Sequence, residues 1–234
     1  MNILKPALAV VVSTLWLTAA HANVITNGDF QTGDFTGWTF FTTANGSLGL
    51  SGSGSPSVSS FDVTGSGASL AAQFQVGQVV HSLGAEAGGG ISQNVTTIAG
   101  IASFSANIAA FCGQVCADFN GNDEGGIFSF LLDGVTQDSV SIGAITGLQT
   151  IRSTLAFSGP VSAGTHEVSI LMTRAFENGS GTTFLTPNQF VDDITFDVAA
   201  VTPLPAALPL FATGLGALGL LGWRRKRKAR TAAV

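Results

Sequence analysis

From residue 61 to residue 198 the chain repeats one pattern: short runs in which apolar and polar side chains alternate, separated every 8 to 15 residues by Gly, Asn or Asp. Ser103-Phe104-Ser105-Ala106-Asn107-Ile108 is the clearest instance. Successive side chains of a strand point to opposite faces, so this is the pattern of a strand with one face buried and the other wet. The same reading predicts strands over residues 61–63, 70–74, 91–98, 101–111, 127–132, 139–142, 154–157, 167–173 and 190–198. These segments are rich in Val, Ile, Thr and Phe, and the Lys, Glu and Ala runs that build surface helices are nearly missing. The expectation is an all-β fold, an antiparallel β-sandwich. Residues 47–60, rich in Gly and Ser, are predicted to form a mobile loop within that domain, because too little chain precedes them to fold alone.

The two ends follow a different grammar. Lys5 precedes an apolar stretch from Ala7 to Ala20, and Ala20-His21-Ala22 places small residues at the −3 and −1 positions of a cleavage site. This predicts a signal peptide over residues 1–22, removed by signal peptidase to leave Asn23 first; the alternative is an uncleaved anchor. At the other end, the 20 residues from Leu204 to Trp223 carry no charge. At ~1.5 Å per residue a helix of that length spans about 30 Å, the thickness of a bilayer's hydrocarbon core. Six basic residues follow: Arg224, Arg225, Lys226, Arg227, Lys228 and Arg230. Such a cluster stays on the cytoplasmic side. The chain therefore divides into 1–22, a body of 178 residues over 23–200, long enough for one domain with its own core, and a tail over 201–234 whose residues 204–223 are a predicted transmembrane helix.

Signal peptide, exported body, the tripeptide Pro203-Leu204-Pro205, apolar span and terminal basic run together resemble the PEP-CTERM proteins of Gram-negative bacteria. The usual tripeptide there is Pro-Glu-Pro, so Leu204 is a departure, and the flanking PLPAALPLF resembles a variant of the tail. The resemblance implies an inner-membrane precursor whose tail an exosortase cuts near the tripeptide. The body would then pass to the cell surface or the extracellular matrix, among exopolysaccharide or biofilm. A permanent single-span anchor is the alternative.

Charge sets the body apart. It holds all 14 acidic residues but only Arg152 and Arg174 among the basic ones, a formal charge of −12 that the whole-chain value of −5 conceals. An acidic surface repels phosphates, which excludes nucleic acid as a partner. It is compatible with divalent cations and with simple solubility.

Two segments refine the fold. Asn27-Gly28-Asp29-Phe30-Gln31-Thr32-Gly33, followed by Gly37-Trp38, and Phe190-Val191-Asp192-Asp193-Ile194-Thr195-Phe196 resemble the first and last strands of galactose-binding-like jelly-roll domains, a group that includes many carbohydrate-binding modules. The stretch from Gly88 to Ala109 and Gly164-Thr165-His166 resemble the same domains. The resemblance implies that the first and last strands lie side by side. It also implies a structural Ca2+ between them, held by the residue after Phe30, here Gln31 in place of an acidic one, and by Asp193; Asp29 could add an oxygen only if the backbone turned. Trp38 is the candidate sugar-stacking residue, since sugar C–H faces pack on aromatic rings and the mature body has no Tyr and no other Trp.

Little else carries chemistry. Cys112 and Cys116, in an exported chain, predict one disulfide across a turn. Residues 118–124 place oxygen side chains at alternate positions but lack the glycine and the glutamate of a calcium loop. His81 and His166 read as turn or surface residues, and Asp192 and Asp193, adjacent on a strand, would point to opposite faces and so could not flank one glycosidic bond. The expectation is a non-enzyme: a structural or interaction protein of the cell surface or, alternatively, a carbohydrate-binding module.

Overall fold

Twelve strands form among the described residues, in the order β1 (Thr39–Thr42), β2 (Gly46–Ser47), β3 (Ser57–Phe61), β4 (Ser69–Phe74), β5 (Gly77–Gln78), β6 (Glu86–Thr97), β7 (Gly100–Phe111), β8 (Ile127–Leu132), β9 (Val135–Ser141), β10 (Thr150–Val161), β11 (Gly164–Ala175) and β12 (Asn188–Ala200). The computed structural model describes residues 23–49, 55–80, 82–113, 123–146, 148–176, 186–200, 211 and 213–219. One five-stranded sheet has the order β1-β6-β11-β8-β9, the other β10-β7-β12-β4-β3, and β2 with β5 makes a small third sheet. The pairings are antiparallel, as expected. From β6 onward the chain switches repeatedly between the two large sheets, in the double-sheet manner of a jelly roll.

Eight of the nine expected strands are present; the ninth, expected over 61–63, is displaced, with only Phe61 in a strand, at the end of β3. Most run longer than the alternation indicated: β10 and β11 each have 12 residues. Ser57–Ser60, read as loop, belong to β3, and β1 was not anticipated. The core lies between the sheets. Phe130 of β8 faces Phe104 of β7 with ring centroids 3.7 Å apart and planes 6° from parallel, and Phe157 and Phe196 of the same opposing sheet surround it. Phe30, Phe74, Phe128, Ile91, Ile170 and Met172 are fully buried around them.

The chain before β1 closes the sandwich. Val24 N donates to Phe196 O at 3.0 Å and Ile194 N donates to Gly28 O at 2.9 Å, so the first described residues run along the second half of β12. First and last segments are neighbours, as the resemblance implied. Residues 27–37 then loop back, with Asn27 and Phe30 in the left-handed backbone region. The Asn27 amide donates to the carbonyls of Asp34 and Thr36 and holds the loop closed around the buried Phe30 ring. Asn tolerates that backbone conformation better than other non-glycine residues, which accounts for the Asn-Gly pair.

Residues 200–234 form a separate unit. Within it residues 213–219 are helical. Among the described residues no helix is long and apolar enough to cross a membrane. The signal peptide with Ala20 and Ala22, the motif Pro203-Leu204-Pro205, most of the span 204–223 and the basic run 224–230 lie outside the described residues.

Gly28 is the position where a small change should matter most. A Cβ there would sit 2.1 Å from the Ile194 carbonyl oxygen, which is itself fixed by the strand. Gly28→Ala is expected to cost about 1–3 kcal/mol and to lower the melting midpoint by several degrees. An unchanged midpoint would mean that this loop is not docked on β12.

Candidate functional site

The junction between the first loop and β12 encloses a cleft of about 330 Å3 lined by Asn23, Ile25, Asn27, Gly28, Asp29, Asp193, Ile194 and Thr195. An irregularity in β12 shapes it. Asp193 has φ +51°, so the alternation restarts: Val191 and Ile194, three residues apart, both reach the core. A bulge of this kind re-aims side chains.

The two aspartates therefore have separate surroundings. Asp192 is fully buried; its Oδ2 accepts from Ser69 Oγ at 2.5 Å and its Oδ1 from the Asp193 backbone N–H at 2.8 Å. Burial pushes its carboxyl above the usual carboxylate range, and the bond from Ser69 opposes that only in part. Asp193 is exposed and its Oδ2 accepts from Asn107 Nδ2 of β7 at 3.0 Å. Gln31 lies over the same junction: its Nε2 donates to the carbonyl oxygens of Asp29 at 2.9 Å and Leu70 at 3.5 Å. The donor set expected for calcium thus presents an N–H where a cation would need an oxygen. Among the described residues no group of three or more His, Cys, Asp and Glu side chains is placed to hold a metal ion.

Trp38 requires a correction. Its side chain is core, not a binding platform: the residue is 8% exposed, its ring stacks on Phe30 at 6.1 Å, and its Nε1 donates to Asn27 O at 3.0 Å. The indole closes the first loop. Nothing in Gly37-Trp38 distinguishes a stacked core ring from an exposed one. Cys112 is fully buried and disulfide-bonded; Cys116, His81 and residues 118–122 lie outside the described residues.

His166 belongs to an arrangement that residue spacing did not show. It sits in β11, 8% exposed, with Nδ1 2.7 Å from Asp133 Oδ2 in the β8–β9 turn and Nε2 3.1 Å from Ser162 O in the β10–β11 turn. Ser162 Oγ is also 3.4 Å from Nε2. The three residue types match a catalytic triad, but here the ring is held between Asp133 Oδ2 at Nδ1 and the Ser162 carbonyl oxygen at Nε2. The Asp133 hydrogen bond raises the imidazole above its ordinary value, against the effect of burial. The same bond lowers Asp133. What results is an ionic tie between two turns.

The outer face of the β1-β6-β11-β8-β9 sheet is a second locus. Val168, Ile170 and Met172 of β11 point into the core, so Glu167, Ser169, Leu171 and Thr173 point out. Register places Glu167 opposite Asn94, Ser169 opposite Ser92 and Leu171 opposite both Gly90 and Ser129. Ser169 Oγ donates to Glu167 Oε1 at 3.1 Å, Ser129 and Ser139 hydroxyls meet at 3.1 Å, and Thr173 Oγ1 donates to Glu86 Oε2 at 3.2 Å. Phe41, opposite Gly90, adds a half-buried ring at one edge. On this face Asn94, Glu167, Glu86 and Ser139 are exposed and Leu171 and Phe41 half-buried, whereas Ser169, Ser129 and Ser92 are buried.

Both cations of the body are engaged. Arg152 pairs with Asp62 at 3.4 Å on the surface, and the buried Arg174 donates through Nε to Val76 O at 3.1 Å.

No protein-family model and no curated protein matches the chain. Among solved structures it is similar to TmCBM61 in complex with beta-1,4-galactotriose, at 14% identity and TM-score 0.45, over 75% of this chain and 97% of that one. It is also similar to the CBM22-1 xylan-binding domain of Paenibacillus barcinonensis Xyn10C, at 11% identity and TM-score 0.39, over 79% and 99%. A third is Family 16 Carbohydrate Binding Module-2, at 16% identity and TM-score 0.37, over 74% and 99%.

The tie between His166 and Asp133 makes stability depend on pH. His166 has a folded pKa above its unfolded value of 6.5, so its contribution is complete below that pH and is lost as pH rises through the folded pKa. Asp133 is held below 3.8, so its contribution is lost only as pH falls through the lowered value. The melting midpoint should fall as pH rises above 6.5, and Asp133→Asn should flatten that fall. An unchanged slope in the variant would assign the pH dependence to other groups.

Proposed function

We propose that this is an exported, non-catalytic protein that binds an extracellular glycan through the outer face of the β1-β6-β11-β8-β9 sheet. The observation that carries the reading is that Asn94, Glu167 and Ser139 stand exposed on that face, with the hydroxyls of Ser169 and Ser129 buried between them. Sugar hydroxyls donate and accept at once, as Ser hydroxyls do, while Glu167 accepts and the Asn94 amide does both. A row of such groups at strand spacing fits an extended polar chain. With Trp38 in the core, recognition rests on hydrogen bonds rather than on ring stacking. The His166 ring held between Asp133 and the Ser162 carbonyl, and the separated Asp192 and Asp193, support a role without catalysis.

The tail supplies the address in this proposal. The precursor enters the inner membrane, exosortase cuts near Pro203-Leu204-Pro205, and the body reaches the cell surface or matrix, where exopolysaccharide is the partner. Intact mass from the native host should show a product that starts at Asn23 and ends near Pro205. A full-length C-terminus that persists in the inner membrane would replace sorting with permanent anchoring.

Glycan-array binding tests the site. Glu167→Ala and Asn94→Ala, both at exposed positions, are expected to weaken binding about tenfold each while leaving the melting midpoint unchanged. Binding that survives both substitutions would move the site elsewhere. No binding to any glycan would leave a structural role at the cell surface as the better reading.

A further inference from the structure

We propose that the Gln31 side-chain amide takes the place of a cation at the junction of the first loop with β4 and β12, so that this body holds its first loop without calcium. Four observations converge on that point. Gln31 Nε2 reaches two backbone carbonyls, of Asp29 at 2.9 Å and of Leu70 at 3.5 Å. Carbonyl oxygens this close around one point repel unless a proton or a cation lies between them. The amide supplies the protons. If it were reversed, Oε1 would bring a third acceptor against both carbonyls with no proton between them, so the donating orientation is the one that binds.

The neighbouring carboxylates are committed to other partners. Asp192 accepts from Ser69 Oγ through one oxygen and from the Asp193 N–H through the other. Asp193 accepts from Asn107 on β7. Asp29 Oδ1 accepts from the Gln31 backbone N–H at 3.3 Å, which turns the loop back on itself. Each oxygen named here thus has a hydrogen-bond donor of its own, and a cation entering would have to displace several of them. The amide also links the loop to β4 through Leu70, which is the mechanical task a bridging ion would perform.

Thermal unfolding of the full-length chain in detergent, in EDTA and in millimolar calcium, tests this directly. The natural chain is expected to melt at the same temperature in both. Gln31→Glu exchanges the donor for a carboxylate beside Asp29 and Asp192; it should melt lower in EDTA and recover by about 2 °C or more in calcium. Gln31→Ala removes the amide without adding charge and should melt lower by the same amount in either medium, which keeps the test open if the glutamate variant fails to fold. A calcium-dependent rise in the natural chain that Gln31→Ala abolishes would overturn the proposal, because Gln31 would then be a ligand. Calcium-insensitive melting of a folded Gln31→Glu chain would overturn it too, since no cation position would exist there to be replaced.

Discussion

The contact between Phe104 and Phe130, 3.7 Å apart and nearly parallel, is where the two sheets meet, and the other elements are arranged to keep water from it. A sheet buries one face only, so each of the two must find a partner within about 10 Å, and large rings fill that distance better than aliphatic side chains. Phe130 enters from β8 and is received by Phe104, Phe157 and Phe196 on three adjacent strands of the opposing sheet. The ends of the sandwich remain to be closed. The first loop does so on one side, with Phe30 as a plug and Trp38 stacked behind it, while Gln93 of β6 anchors the loop through Thr26 and Gly37. Trp38 is thus consumed by the need to seal a core.

That need also explains what the sequence revealed and what it concealed. Alternation located eight strands because each half-buried strand repeats the same decision at every second residue. It underestimated their lengths because backbone pairing carries a strand past the last apolar residue: β10 continues through Gly159 and Pro160 opposite β7, and the proline is tolerated because β10 is an edge strand. Ser57–Ser60 read as loop since serine signals a turn, yet β4 supplies the ladder that makes them a strand. The aspartate pair was harder. Counting faces assumes a regular strand, and the bulge at Asp193 removes that assumption, leaving Asp192 as the buried member. The tie between His166 and Asp133 joins residues 33 apart through two turns, and no spacing rule reaches across turns.

Asn27-Gly28-Asp29-Phe30 combines several of these constraints in four residues. Asn27 takes the left-handed conformation and closes the loop with its amide, Gly28 makes room for the Ile194 carbonyl, and Phe30 fills the core. Only Asp29 faces outward with no packing duty of this kind, and it lines the cleft with Asp193. A motif whose likeness to binding domains was visible in the sequence is therefore accounted for largely by folding. In the proposed reading the binding face is the other sheet's outer surface, where Asn94 and Glu167 stand exposed.

The charge of the body narrows what that sheet can hold. Its 14 acidic residues face two basic ones, and the structure commits both: Arg152 to Asp62, Arg174 to the interior. No cation of the body is left to receive the carboxylates or sulfates of an anionic polysaccharide, and Glu167 and Glu86 on the proposed face add their own repulsion. Over distances beyond about 8 Å physiological salt screens that field, but a glycan lying on the sheet is in direct contact with it. A neutral chain, offering hydroxyls to the exposed Asn94, Glu167 and Ser139 of the proposed face, meets no such barrier. On the proposed reading, the electrostatics and the exposed polar groups of that face favour the same class of ligand, and neither argument draws on the tail.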